Sequence, residues 1–115
     1  MRDLPRLFWC GALLAAFAAA PAGAAEDRSA AARNGKVVAT RVCAGCHDVS
    51  DDMKAAAGRR PGEPPAFLTV ATSEKLDADL LAAFLWFPHG EMDNLVMTRR
   101  EADDVAAYIM SLRRK

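Results

Sequence analysis

The chain has 115 residues, with 15 Lys plus Arg against 15 Asp plus Glu, so its formal charge is zero. Nothing in that balance suggests nucleic-acid binding, which would show as a strongly basic face, and no run of like charge is long enough to act as an interaction tail. The length bounds the chain to one small domain.

The N-terminus has the layout of a secretory signal. Arg2 and Arg6 precede Leu7–Ala20, a run of 14 apolar or small residues, and Pro21-Ala22-Gly23-Ala24-Ala25 follows with small residues placed as at a cleavage site. The run falls short of the ~20 residues a spanning helix needs. Residues 1–25 are therefore expected to be removed, Cys10 with them, leaving a single domain over 26–115. Phe8 and Trp9 are too bulky for Cys10 to be a lipoprotein anchor. From Glu26 onward there are 13 Lys plus Arg and 14 Asp plus Glu, a nearly neutral mature chain. The expected location is the periplasm, with no stable membrane insertion of the mature chain.

Glu26–Ala32 is polar and alanine-rich, expected as a frayed start. A short helix follows, with Asn34 as a possible N-cap and Val38 and Val42 on one face. It leads into Cys43-Ala44-Gly45-Cys46-His47. C-x-x-C-H reads as a c-type haem attachment site. Two intervening residues let one tight turn present both sulfurs to one porphyrin edge, and His47 follows with a nitrogen for iron. The competing readings lack their context. A thiol–disulfide switch of thioredoxin type wants a βαβ unit, and a zinc site wants a second ligand pair, for which only His89 and Cys10 remain.

Between Asp48 and Pro65 the chain is irregular, with one helical turn expected over Met53–Ala57. Three prolines and two glycines in residues 58–65 exclude a continuing helix. Phe67–Ala71 is short enough to be a strand or a helical turn. Glu74–Phe87 reads as a helix capped by Ser73 or Thr72 and stopped by Pro88, with Leu76, Leu80, Phe84 and Phe87 on one stripe, widened by Leu81 and Leu85. Trp86 is expected in the core. Thr98 and Glu101 form a capping box for a last helix whose face is Ala102, Val105, Tyr108, Ile109 and Leu112. No strand pair is evident, and the fold class is all-α: three to four short helices around one covalently bound haem.

These features resemble the small class I cytochromes c, over most of the mature chain and most strongly at its two ends. Gly35, eight residues before Cys43, stands where the family has a glycine that admits the last helix. Asp104–Leu112 looks like that last helix, with Tyr108 as its packing aromatic. Ala39 departs from the family, where a bulky aromatic is common, and implies a less filled crossing. Met92–Thr98 resembles the family's axial-methionine loop, although Asp93 replaces the usual proline. The resemblance implies His47 and Met92 as the two iron ligands, Cys43 and Cys46 as thioether anchors, and Pro65 as the carbonyl that orients His47, with Pro64 its neighbouring alternative. Met53, Met97 and Met110 read as core fillers. His89 is the rival sixth ligand, and an open sixth site the third possibility. Arg59 and Arg60 read as solvated loop charges, one of which could pair with a haem propionate.

The implied function is single-electron transfer between redox protein donors and acceptors, by a monomer or weak complex. No Ser/His/Asp set, carboxylate pair or phosphate-cradling loop suggests an enzyme. Two other classes stay open: an electron-accepting haem subunit of a periplasmic oxidoreductase, and a ligand sensor or peroxidase-like protein with an exchangeable sixth site. A core this small is marginal without a staple. The haem-free chain is thus expected to be largely unfolded or molten, without a cooperative thermal transition in scanning calorimetry.

Overall fold

The computed structural model describes residues 22–87, 90–92 and 95–113. These form five α-helices: α1 (Ala22–Val42), α2 (Met53–Ala57), α3 (Phe67–Ala71), α4 (Ala78–Trp86) and α5 (Arg99–Leu112), with a 3-10 turn at Gly90–Met92. No strand occurs among the described residues. The all-α class holds. The short segment that periodicity left undecided is helix α3, and residues 53–57 make the expected single turn, capped by the Asp52 carboxylate at Lys54 N–H (2.8 Å).

Helix α1 is longer than the sequence suggested. It spans Ala22–Val42, so Asn34 lies inside it rather than at its cap. The alanines at 24, 25 and 30–32 explain this, since alanine is the best helix former and outweighs the modest cost of Asn34, Gly23 and Gly35. Only the C-terminal part of α1 enters the core. Gly35, Val38, Ala39 and Cys43 are buried at helical spacing, and residues 23–29 are exposed.

The main packing contact is α1 against α5. Gly35 makes it possible. A Cβ there would collide with the Asp104 carbonyl and lie 2.9 Å from Val105 N. Ala39 is fully buried at this crossing, so the missing aromatic leaves no exposed gap. All five residues of the anticipated α5 face are buried, together with Ala106. The Tyr108 hydroxyl donates to Val49 O at 2.6 Å, pinning the segment after the C-x-x-C-H turn to α5. The capping box is present. Glu101 N–H donates to Thr98 Oγ1 (3.2 Å), and Thr98 N–H donates to Glu101 Oε2 (2.9 Å). Glu101 also meets Arg41 of α1 at 3.3 Å, an exposed pair of small energetic weight.

Helix α4 corrects the sequence reading at both its start and its buried face. It begins at Ala78, capped by Asp77, whose carboxylate accepts from Leu80 N–H at 2.8 Å. Ser73 and Leu76 lie in the preceding turns instead, where their carbonyls accept from the Arg113 guanidinium at 2.8 and 2.9 Å. Leu81 and Ala82 are the buried residues of α4, whereas Leu80, Phe84 and Phe87 are each more than half exposed. Trp86 is 42% exposed rather than in the core, with the Arg99 guanidinium 4.8 Å from its ring centre. Phe87 ends α4 in extended backbone, as the residue before a proline should.

Two outcomes follow. Gly35→Ala should force α1 and α5 apart and cost about 2–3 kcal/mol, the upper range for overpacking against rigid backbone, read from denaturant unfolding. For Glu101, the hydrogen bond from Thr98 N–H and then that from the Thr98 hydroxyl hold the carboxyl below the usual carboxylate range; desolvation pushes it up by less than these, and the Arg41 charge adds the smallest downward pull. A depressed folded-state pKa gives stability that is complete above the unfolded value and lost as pH falls through the folded one. Glu101→Gln should therefore lower the melting temperature at pH 7, with the difference narrowing as pH falls below 4.

Candidate functional site

Cys43 is the first residue after α1, and the helix sets its direction. Its N–H donates to Ala39 O at 2.8 Å, continuing the helical pattern. The Cys43 carbonyl then accepts from both Cys46 N–H (3.1 Å) and His47 N–H (2.9 Å). This curls the five-residue motif into one turn. Cys43 is buried and Cys46 exposed, and no disulfide joins them. Burial pushes the Cys43 thiol up from its ordinary pKa.

His47 is half-buried, its ring 5.5 Å from that of Phe67. Its Nδ1 lies 2.7 Å from Pro65 O. A carbonyl oxygen can only accept, so this contact places the proton on Nδ1 and leaves Nε2 as a lone-pair donor. The next residues hold the pair in place: Phe67 N–H donates to Asp48 O at 2.8 Å. Of the two prolines weighed from sequence, Pro65 is the one facing the imidazole, while the Pro64 carbonyl accepts from Arg59.

Met92 is half-buried at the end of the 3-10 turn that Gly90 opens with φ +50°, and its carbonyl accepts from Leu95 N–H at 2.9 Å. Cys43, His47, Pro65 and Met92 line one cleft, with Leu81 and Ile109 among its apolar walls. Phe84 of α4 also lines it, which gives that half-exposed ring a place the sequence stripe did not reveal. Soft sulfur, imidazole nitrogen and a greasy wall together suit a large apolar iron chelate, not a hydrated ion. Among the described residues, no three His, Cys, Asp or Glu side chains converge as an ion site would need.

The other methionines sit elsewhere. Met110 packs against the core from α5, Met97 is half-buried, and Met53 is 74% exposed, so Met53 is no core filler. His89, Asp93 and Cys10 lie outside the described residues. Sequence reasoning missed two arginines. Arg59 is not a solvated loop charge: it donates to Pro64 O and to Cys46 O at 2.6 and 2.7 Å. Arg113 gathers three carbonyls, Ala71 at 2.7 Å in addition to those of Ser73 and Leu76. The available signal was indirect: loops rich in proline and glycine leave carbonyls that some donor must meet.

The family model for cytochrome c matches residues 32–113. A cytochrome c-552 of Bradyrhizobium diazoefficiens is 39% identical over 85 residues, covering 74% of this chain and 78% of that relative. No solved structure gives a significant match.

Proposed function

The chain belongs to the cytochrome c family and carries covalent haem c, and on that premise we propose that it is a periplasmic electron carrier with Cys43 and Cys46 as thioether anchors, His47 as proximal ligand and Met92 as distal ligand. The observation that carries this reading is the convergence of Cys43, His47 and Met92 on one apolar cleft, with His47 already oriented by Pro65. When bound, haem supplies a one-electron ferric/ferrous couple, and a Met/His ligand pair raises its potential.

The protein's own residues set the conditions. The Pro65 carbonyl accepts the hydrogen bond from His47 Nδ1–H, fixes the ring orientation and makes Nε2 a better donor. Leu81, Ile109 and Phe67 exclude water from the cleft. With His47 and Met92 both engaged as ligands, no iron position would be left for a substrate, which favours a carrier over an enzyme. Residues 1–25 are the cleavable signal that takes the chain to the periplasm. Among the described residues, no helix is long and apolar enough to cross a membrane. Protein donors and acceptors dock weakly on the near-neutral surface, as redox encounters do.

The visible and near-infrared spectrum of the protein, secreted with a cytochrome c maturation system, tests this. A low-spin c-type spectrum with the weak methionine-to-ferric-iron band is expected. Met92→Ala should abolish that band and lower the potential by on the order of 60 mV or more, a tenfold change in a one-electron equilibrium. Met97→Ala should keep the band and cost packing only. A high-spin ferric spectrum in the unmodified protein would remove Met92 as ligand, and absence of covalent haem would remove the anchors.

A further inference from the structure

Arg59 stands in the Gly/Pro-rich loop, and its guanidinium is shared between two distant stretches of chain. Nε and Nη2 both donate to Pro64 O, at 3.0 and 2.6 Å, and Nη2 also donates to Cys46 O at 2.7 Å. These carbonyls belong to the residues immediately before Pro65 and His47. One residue further along each stretch, His47 Nδ1 donates to Pro65 O at 2.7 Å. Guanidinium and imidazole thus form consecutive rungs between residues 46–47 and 64–65. The arginine side chain is 26% exposed, and Glu63 lies 3.7 Å from its Nε.

We infer that Arg59 is a positioning residue for His47: by tying the Cys46 and Pro64 carbonyls together it sets the distance at which Pro65 O meets the imidazole, and so how strongly His47 donates to iron. This rests on His47 being the proximal ligand. The contact needs arginine's chemistry. A planar fork with several fixed donors can hold one carbonyl by two nitrogens and reach a second, whereas a lysine ammonium is a point charge on a flexible stem. Two effects of opposite sign follow from removing it. A weaker Nδ1–H···O contact makes His47 a poorer donor to ferric iron, which raises the reduction potential. Losing a nearby positive charge relieves ferric iron of repulsion, which lowers it. Arg59→Lys keeps the charge and loses the fork, so it isolates the first effect.

The test uses the holoprotein. Water exchange of the His47 ring N–H is followed by proton NMR in the reduced state, with the midpoint potential measured alongside. Arg59→Lys and Arg59→Gln should both speed that exchange about tenfold or more, the scale of a lost hydrogen bond to a charged group, while amide exchange at Ile109 in α5 stays as in the unmodified protein. Arg59→Lys should also raise the potential, and Arg59→Gln should raise it less or lower it. Arg60→Gln, which removes an exposed partner of Glu63 alone (2.9 Å), should change neither quantity. If Arg59→Gln does not accumulate with haem, Arg59→Lys carries the test. Ring exchange and potential unchanged in Arg59→Lys would overturn the proposal, even with a lower melting temperature. Equal acceleration at His47 and Ile109 would overturn it too, as a loosening of the whole fold. If the unmodified protein shows no His47 resonance displaced by the porphyrin ring current, the proximal ligation itself falls, a result distinct from a normal resonance indifferent to Arg59.

Discussion

The close approach of α1 and α5 at Gly35 is the constraint on which the remaining structure rests. A missing Cβ brings the α1 backbone onto the Asp104–Val105 peptide. That contact fixes where α1 ends, and its end is where Cys43 begins the haem motif. It also fixes where Ile109 and Tyr108 stand. Ile109 becomes a wall of the cleft, and Tyr108 reaches back to hold Val49 O, two residues beyond His47. Thus one small-residue crossing sets the origin and the far side of the ligand turn. Hydrophobic burial alone would not do this, because it is non-directional and accepts many arrangements.

Once the helices are crossed, the difficulty lies in the connections. The stretch between Cys43 and Asp77 contains only two five-residue helices, so many carbonyls there have no ladder partner. Buried or half-buried carbonyls left unpaired are costly. The chain meets them with side-chain donors drawn from far along the sequence. Arg113 at the end of α5 takes Ala71, Ser73 and Leu76, Arg59 takes Cys46 and Pro64, and His47 takes Pro65. In a domain this small, groups with several donors in fixed geometry do the work of a sheet. The His47 imidazole is itself one of these donors, so the contact that orients the ring also closes the loop.

This division explains what was legible in the sequence. The ends of the fold were, because their signals are local: helical spacing in 102–112, the Thr98–Glu101 box, and a five-residue motif with one dominant chemistry. Pro65 and the Gly35 crossing came from family resemblance, and each falls where the geometry needs it. Helix starts were less legible. Asn34 and Ser73 are good caps in isolation, but the alanines carry α1 past the first, and Arg113 claims the Ser73 carbonyl while Asp77 caps α4. The stripe on α4 misled because amphipathic spacing finds an apolar face without saying whether it meets protein or a cofactor cleft. Phe84 lines the cleft beside His47 and Met92. Arg59 was illegible because a loop arginine gains its meaning only from carbonyls placed by tertiary structure.

Different groups hold the two sides of the cleft among the described residues. On the His47 side, the Cys43 carbonyl, the Pro65 carbonyl, the Arg59 fork and the Asp48–Phe67 backbone bond all converge within a few residues of the imidazole. On the Met92 side, the connection from α4 to α5 is bounded by Trp86 under Arg99 and by the capping box, with the Leu95 bond to the Met92 carbonyl between them. A histidine ligand needs such support because its donor strength depends on what its second nitrogen meets. A thioether has no second nitrogen and titrates nowhere near neutral pH, so its bond to iron depends on reach and shape alone. The hydrogen bonds around His47 thus fall on a side chain whose donor strength they can tune.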